Sequence, residues 1–107
     1  MITMSQGARP GKVAVVFAVP DCGRPVAVVG SFNNWDPYAS PLRRRSNGTR
    51  SCTIEVDDGD LVTFRYLIDG HAWADDPDAD QIPDNLGGTH CAVVARAPLP
   101  RRRPRPR

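Results

Sequence analysis

Trp35, Trp73, Arg65 and His90 are the side chains of this sequence best suited to hold a ligand by its shape and its hydroxyl groups. A flat indole covers a face of C–H bonds and loses little rotamer freedom in doing so. A few fixed polar groups then select register and orientation. Arg65 donates through several N–H groups, and a histidine ring nitrogen donates or accepts. Sugars present both kinds of surface, C–H ring faces and hydroxyl edges. Trp35 follows Asn33-Asn34 in a segment punctuated by Pro37 and Pro41, where an indole is not needed for packing. Arg65 lies opposite Phe64 and Tyr66 in strand periodicity, so it points to solvent if their face is core.

Rival chemistries fit less well. Asp76, Asp78 and Asp80 alternate as in a calcium loop, but Gln81 stands where glycine is needed and Gly87 where the bidentate glutamate should be. These acids read as solvated loop residues. Eleven aspartates and Glu55 supply carboxylates, yet they cluster in turns and form no recognisable acid/base pair. His90 and Cys91 are neighbours in an extended segment, so they face opposite ways and form no dyad. Cys22, Cys52 and Cys91 are odd in number and lack CxxC spacing, against a disulfide framework or a zinc site. Cys52 and Cys91 read as small core residues of a reduced protein. No glycine-rich phosphate loop is present. No catalytic residue, metal or cofactor is therefore expected.

The elements that must position these residues are short and extended. Residues 12–19 and 26–32 are valine-rich strands separated by a Pro/Gly break, with Phe32 closing the second as a core residue. Residues 33–41 form a loop, and residues 42–45 a short strand. Asn47-Gly48 turns the chain, with both residues expected at positive φ. Residues 50–56 alternate with Cys52, Ile54 and Val56 on one face, and residues 61–68 with Val62, Phe64, Tyr66 and Ile68. Asp69-Gly70 sends residues 71–74 back, residues 75–88 are a long polar loop, and residues 89–95 are a final strand. No window carries helical periodicity free of proline or glycine. The fold expected is all-β, an immunoglobulin-like antiparallel β-sandwich spanning residues 12–96. Residues 1–11 show no periodic pattern and are expected to be flexible.

The chain has 107 residues, enough for one domain with a core that needs no staple. Its net charge of +2 hides an asymmetry: residues 96–107 carry six arginines, and without them 8 basic and 12 acidic residues remain. The folded part is mildly acidic, so no nucleic-acid partner is expected from overall charge. Residues 97–107 form a Pro/Arg tail expected to be disordered. No apolar run reaches membrane-spanning length and no signal peptide is recognisable, so a cytoplasmic location without membrane association is expected.

The order Gly-Ser-Phe-Asn-Asn-Trp at residues 30–35, Phe-Arg-Tyr-Leu-Ile-Asp-Gly at 64–70, Trp73, Asp76-Pro77 and Asn-Leu-Gly-Gly-Thr-His at 85–90 resembles carbohydrate-binding module family 48. That family includes the glycogen-binding domain of the AMP-activated kinase β subunit and the early-set N-terminal domains of isoamylases and branching enzymes. The resemblance implies an early-set sandwich and non-catalytic binding of glycogen, starch or maltooligosaccharides. It places the sugar contacts at Trp35, Arg65, Trp73, Leu86 and His90. Among the departures from the family pattern, Gly88 and His90 stand where it often carries threonine and asparagine. An alternative follows from them, an early-set domain that has lost the sugar site and docks to a glucan-active enzyme or regulatory protein.

Overall fold

The computed structural model describes residues 1–83 and 88–97. Among the described residues there are nine strands: β1 (Ile2–Gln6), β2 (Lys12–Pro20), β3 (Val26–Gly30), β4 (Arg43–Arg44), β5 (Thr49–Asp57), β6 (Leu61–Ile68), β7 (Ala72–Ala74), β8 (Asp80–Pro83) and β9 (Thr89–Val94). One sheet runs β1-β2-β5-β4 and the other β3-β6-β9-β8, with β7 also on β6. Every pairing is antiparallel. The expected all-β sandwich is the fold found.

Alternation explains the core. In β2, Val13, Val15 and Phe17 are fully buried, while the residues between them are only partly covered. Val62, Phe64 and Tyr66 do the same in β6, and Val26 and Val28 in β3. The aromatic centre is Phe17, whose ring meets Phe64 edge-on at 4.7 Å and Phe32 stacked at 5.7 Å. Such pairs add roughly 0.5–1.5 kcal/mol each beyond the area they bury.

The strand β6 organises the other sheet. One edge takes β3, from Val26↔Ile68 to Gly30↔Phe64. The other edge is divided: Leu61 to Phe64 pair with β9, and Tyr66 to Ile68 pair with β7. Arg65 sits at that division.

Several expectations are corrected. The segment expected to be flexible contains β1, which pairs along the free edge of β2 and packs Ile2 and Met4 against the core. Its alternation is short, marked only by Ile2 and Met4, so the edge of β2, not a local pattern, makes it a strand. The polar loop of residues 75–88 contains β8, added to β9 with Ile82 as its one large apolar residue. Phe32 packs on the core but from a 3-10 turn, Ser31–Asn33, after β3 has ended at Gly30. At the hairpin between β4 and β5 only Gly48 has positive φ, 82°, while Arg45 N–H donates to Thr49 O at 2.7 Å. That is a longer bulged loop, not the two-residue turn expected. Asp76 is not solvated but 1% exposed. Residues 98–107, which hold most of the Pro/Arg tail, and Leu86 lie outside the described residues.

Candidate functional site

The segment Gly30 to Trp35 is a device for lifting an indole off a sheet edge. A Cβ on Gly30 would stand 2.2 Å from Thr63 O, so only glycine lets β3 approach β6 so closely there. Ser31 Oγ accepts the Thr63 N–H at 3.2 Å. Phe32 turns inward onto Phe17. Asn33 clasps the turn: its Oδ1 accepts Gly30 N–H at 3.0 Å, and its Nδ2 donates to Val28 O at 3.1 Å and Ser40 Oγ at 3.2 Å. Asn34 and Trp35 then both take left-handed backbone, φ 56° and 59°. Asparagine tolerates that region, whereas for tryptophan it is uncommon and strained. The Trp35 N–H, donated to Gly30 O at 2.9 Å, closes the turn.

Trp73 reaches the same surface from β7. The pairing Leu67↔Trp73 puts it on the face of Leu67, opposite to Tyr66 and the core. Ala27 faces Leu67 from β3, and Val29 faces Arg65 in the next row. Val29, Leu67 and Ala92 are 1%, 8% and 4% exposed, yet none belongs to the cluster between the sheets. The outer face of this sheet thus carries an apolar layer of its own.

An open groove of about 550 Å³ meets this layer at Leu67, and Trp35, Tyr38, His71 and Trp73 also line it. Trp35 is 41% exposed and Trp73 51%. Arg65 and His90 flank the groove, each against one indole. The Arg65 guanidinium stands 5.9 Å from the Trp73 ring centroid, and the His90 ring 5.6 Å from that of Trp35, tilted by 48°. Beyond Phe64↔Cys91, the last pair of the β6–β9 ladder, Arg65 and His90 come next along the two strands. Arg65 also lies 3.7 Å from the Asp75 carboxylate, but among the described residues its buried Nε has no hydrogen-bond partner.

Asp76 holds the chain just after β7. It accepts the Tyr66 hydroxyl at 2.5 Å and the Asp78 N–H at 2.8 Å, and its own N–H donates to Cys91 Sγ at 3.3 Å. Burial pushes this carboxyl up, but the Tyr66 hydroxyl, the Asp78 amide and the Met1 ammonium group at 3.0 Å together outweigh it and hold Asp76 below the usual carboxylate range. Burial and the Asp76 charge drive the Tyr66 phenol strongly upward.

Four of the five residues expected to touch ligand thus meet on one surface, as two aromatic-centred pairs. Sequence reasoning missed Tyr38 and His71. Tyr38, 88% exposed, had a signal available: it follows Trp35 by three residues in the same proline-bounded loop. His71 had one too: it directly follows the Asp69-Gly70 turn, two residues before Trp73.

An open, aromatic-lined groove on the outer face of a β-sandwich is the form of a ligand-binding module. Residues 13–98 match the family described as the glycogen recognition site of AMP-activated protein kinase, and the chain belongs to that family, one of non-catalytic carbohydrate-binding modules. Over 69 residues, 62% of the chain, it is also 32% identical to an amylopullulanase of Thermoanaerobacterium thermosulfurigenes. The match spans 4% of that protein's length.

Proposed function

We propose that this chain binds α-glucan in the groove between Trp35 and Trp73 and performs no chemistry on it. The observation that carries the reading is that two half-exposed indoles, one from the loop after β3 and one from β7, line one groove. In this reading the indoles cover successive ring faces, and Arg65 and His90 donate to hydroxyls at the rim. Membership of a glycogen-recognition family supports the ligand class. A glucan-active enzyme or a regulatory protein is the partner such a module would serve, by keeping it on the polysaccharide.

Calorimetric titration with maltoheptaose tests the proposal. Binding by the wild type, lost in Trp35→Ala and Trp73→Ala, is the expected result. No heat of binding from the wild type, or equal binding by all three proteins, would overturn it.

A further inference from the structure

Residues 36–41 have a second side. Across them from the aromatic groove lies a polar depression of about 380 Å³ lined by Ser40, Arg43, Arg45, Ser51 and Thr53, and Pro41 belongs to the walls of both. Strand alternation separates the four arginines around it. Arg44 faces Arg50 on one side of the sheet, where the Asp21 carboxylate takes both at 2.9 Å. Arg43 faces Ser51 on the other side, and Arg45 Nε donates to Ser51 Oγ at 2.8 Å. Among the described residues neither Arg43 nor Arg45 has an acidic partner, so two positive charges stand unanswered over one depression. Both act on the nearby Cys52 thiol: burial pushes it up, and the two guanidinium groups pull against that.

We propose that this depression is an anion subsite that takes a phosphate monoester carried on the glucan, an inference that rests on the α-glucan reading of the adjoining groove. A neutral polysaccharide gives two unpaired guanidinium groups nothing to neutralise. A phosphate monoester carries close to two negative charges at neutral pH and offers three acceptor oxygens. Guanidinium forks match such oxygens in pairs, and the hydroxyls of Ser40 and Thr53 supply further donors. Because Pro41 is shared, a chain lying over the indoles brings its neighbouring residues to the arginine side of the loop.

Soluble amylopectin bearing native phosphate and the same material after phosphatase treatment are titrated against the wild type and the Arg43→Gln/Arg45→Gln double variant at low and at physiological salt. Glucose 6-phosphate and inorganic phosphate are titrated separately, with the arginine Nε–H signals followed by NMR. The expected result is about five- to tenfold tighter binding of the phosphorylated glucan by the wild type, shrinking with salt. The double variant should lose this preference and keep its affinity for the dephosphorylated glucan. Equal binding of both glucans by the wild type, or a preference that survives in the double variant, overturns the proposal. If neither glucan binds, the α-glucan reading fails; movement of the Arg43 and Arg45 signals with glucose 6-phosphate then still supports an anion site, and no movement overturns it. Movement that inorganic phosphate reproduces at equal concentration assigns the site to free phosphate and overturns the glucan-borne ligand.

Discussion

The Tyr66 hydroxyl, on the inner face of β6, donates to the buried Asp76 carboxylate at 2.5 Å, and this bond ties the exit of the Trp73 strand to the core. A charge-assisted hydrogen bond of this kind is worth about 1.5–3 kcal/mol. Tyr66→Phe and Asp76→Asn should each lower unfolding free energy in urea by about that amount. A double-mutant cycle should give a coupling energy of similar size, and additive losses would show that the two groups act separately.

The same carboxylate sets an acid limb. Its folded pKa lies below the unfolded value of about 3.9, so its stabilising effect is complete above that value and fades as pH falls through the folded pKa. Asp21 behaves likewise: the Gly23 amide and the Arg50 and Arg44 guanidinium groups hold it down to about 2. Denaturation between about pH 5 and pH 2 should show wild-type stability falling. Asp21→Asn should be flatter across that window and closest to wild type at its acid end.

The backbone at Trp35 gives a prediction independent of ligand. At φ 59°, a Cβ costs about 1 kcal/mol that glycine does not incur. Trp35→Gly should therefore be more stable to urea than Trp35→Ala, while both bind maltoheptaose at least about tenfold more weakly than wild type. An alanine variant as stable as the glycine variant would contradict the left-handed assignment.

At Gly30 the constraint is space, since its φ of −167° is ordinary extended backbone. Gly30→Ala drives a methyl group into Thr63 O and should cost at least about 2 kcal/mol in thermal or urea unfolding.

Asn33 separates positioning from contact. Asn33→Ala removes three hydrogen bonds that hold the turn, for a loss of about 2 kcal/mol. It should also weaken maltoheptaose binding with both indoles still present. Asn33→Asp, which keeps the acceptor for Gly30 N–H but not the two donors, should fall between alanine and wild type in both measurements.

The strands that alternate in sequence, β5 and β6, and the valine-rich run of β2 were legible because one face of each is core. The edge strands β1 and β8 were not. Ile2, Met4 and Ile82 are too few to mark a period, and these segments become strands only because a neighbour offers an unpaired edge. Asp76 read as solvated for a related reason: its partner, Tyr66, sits ten residues earlier on a strand whose inward face is set by the opposite sheet. The indoles and Arg65 were visible as types in suitable places. Their convergence was not, because it depends on how β6 divides its edge between β9 and β7.

The apolar layer of Val29, Leu67 and Ala92, which meets the groove at Leu67, has a consequence for how this surface can change. The loop bearing Trp35 and the short strand bearing Trp73 rest on a floor that is packed separately from the space between the sheets. Residues 34–41 could thus be exchanged for another loop, as a graft, without reopening the inter-sheet interior. Selection could retune what the groove holds at little cost to the scaffold, provided Gly30 and Asn33 stay in place to receive the graft.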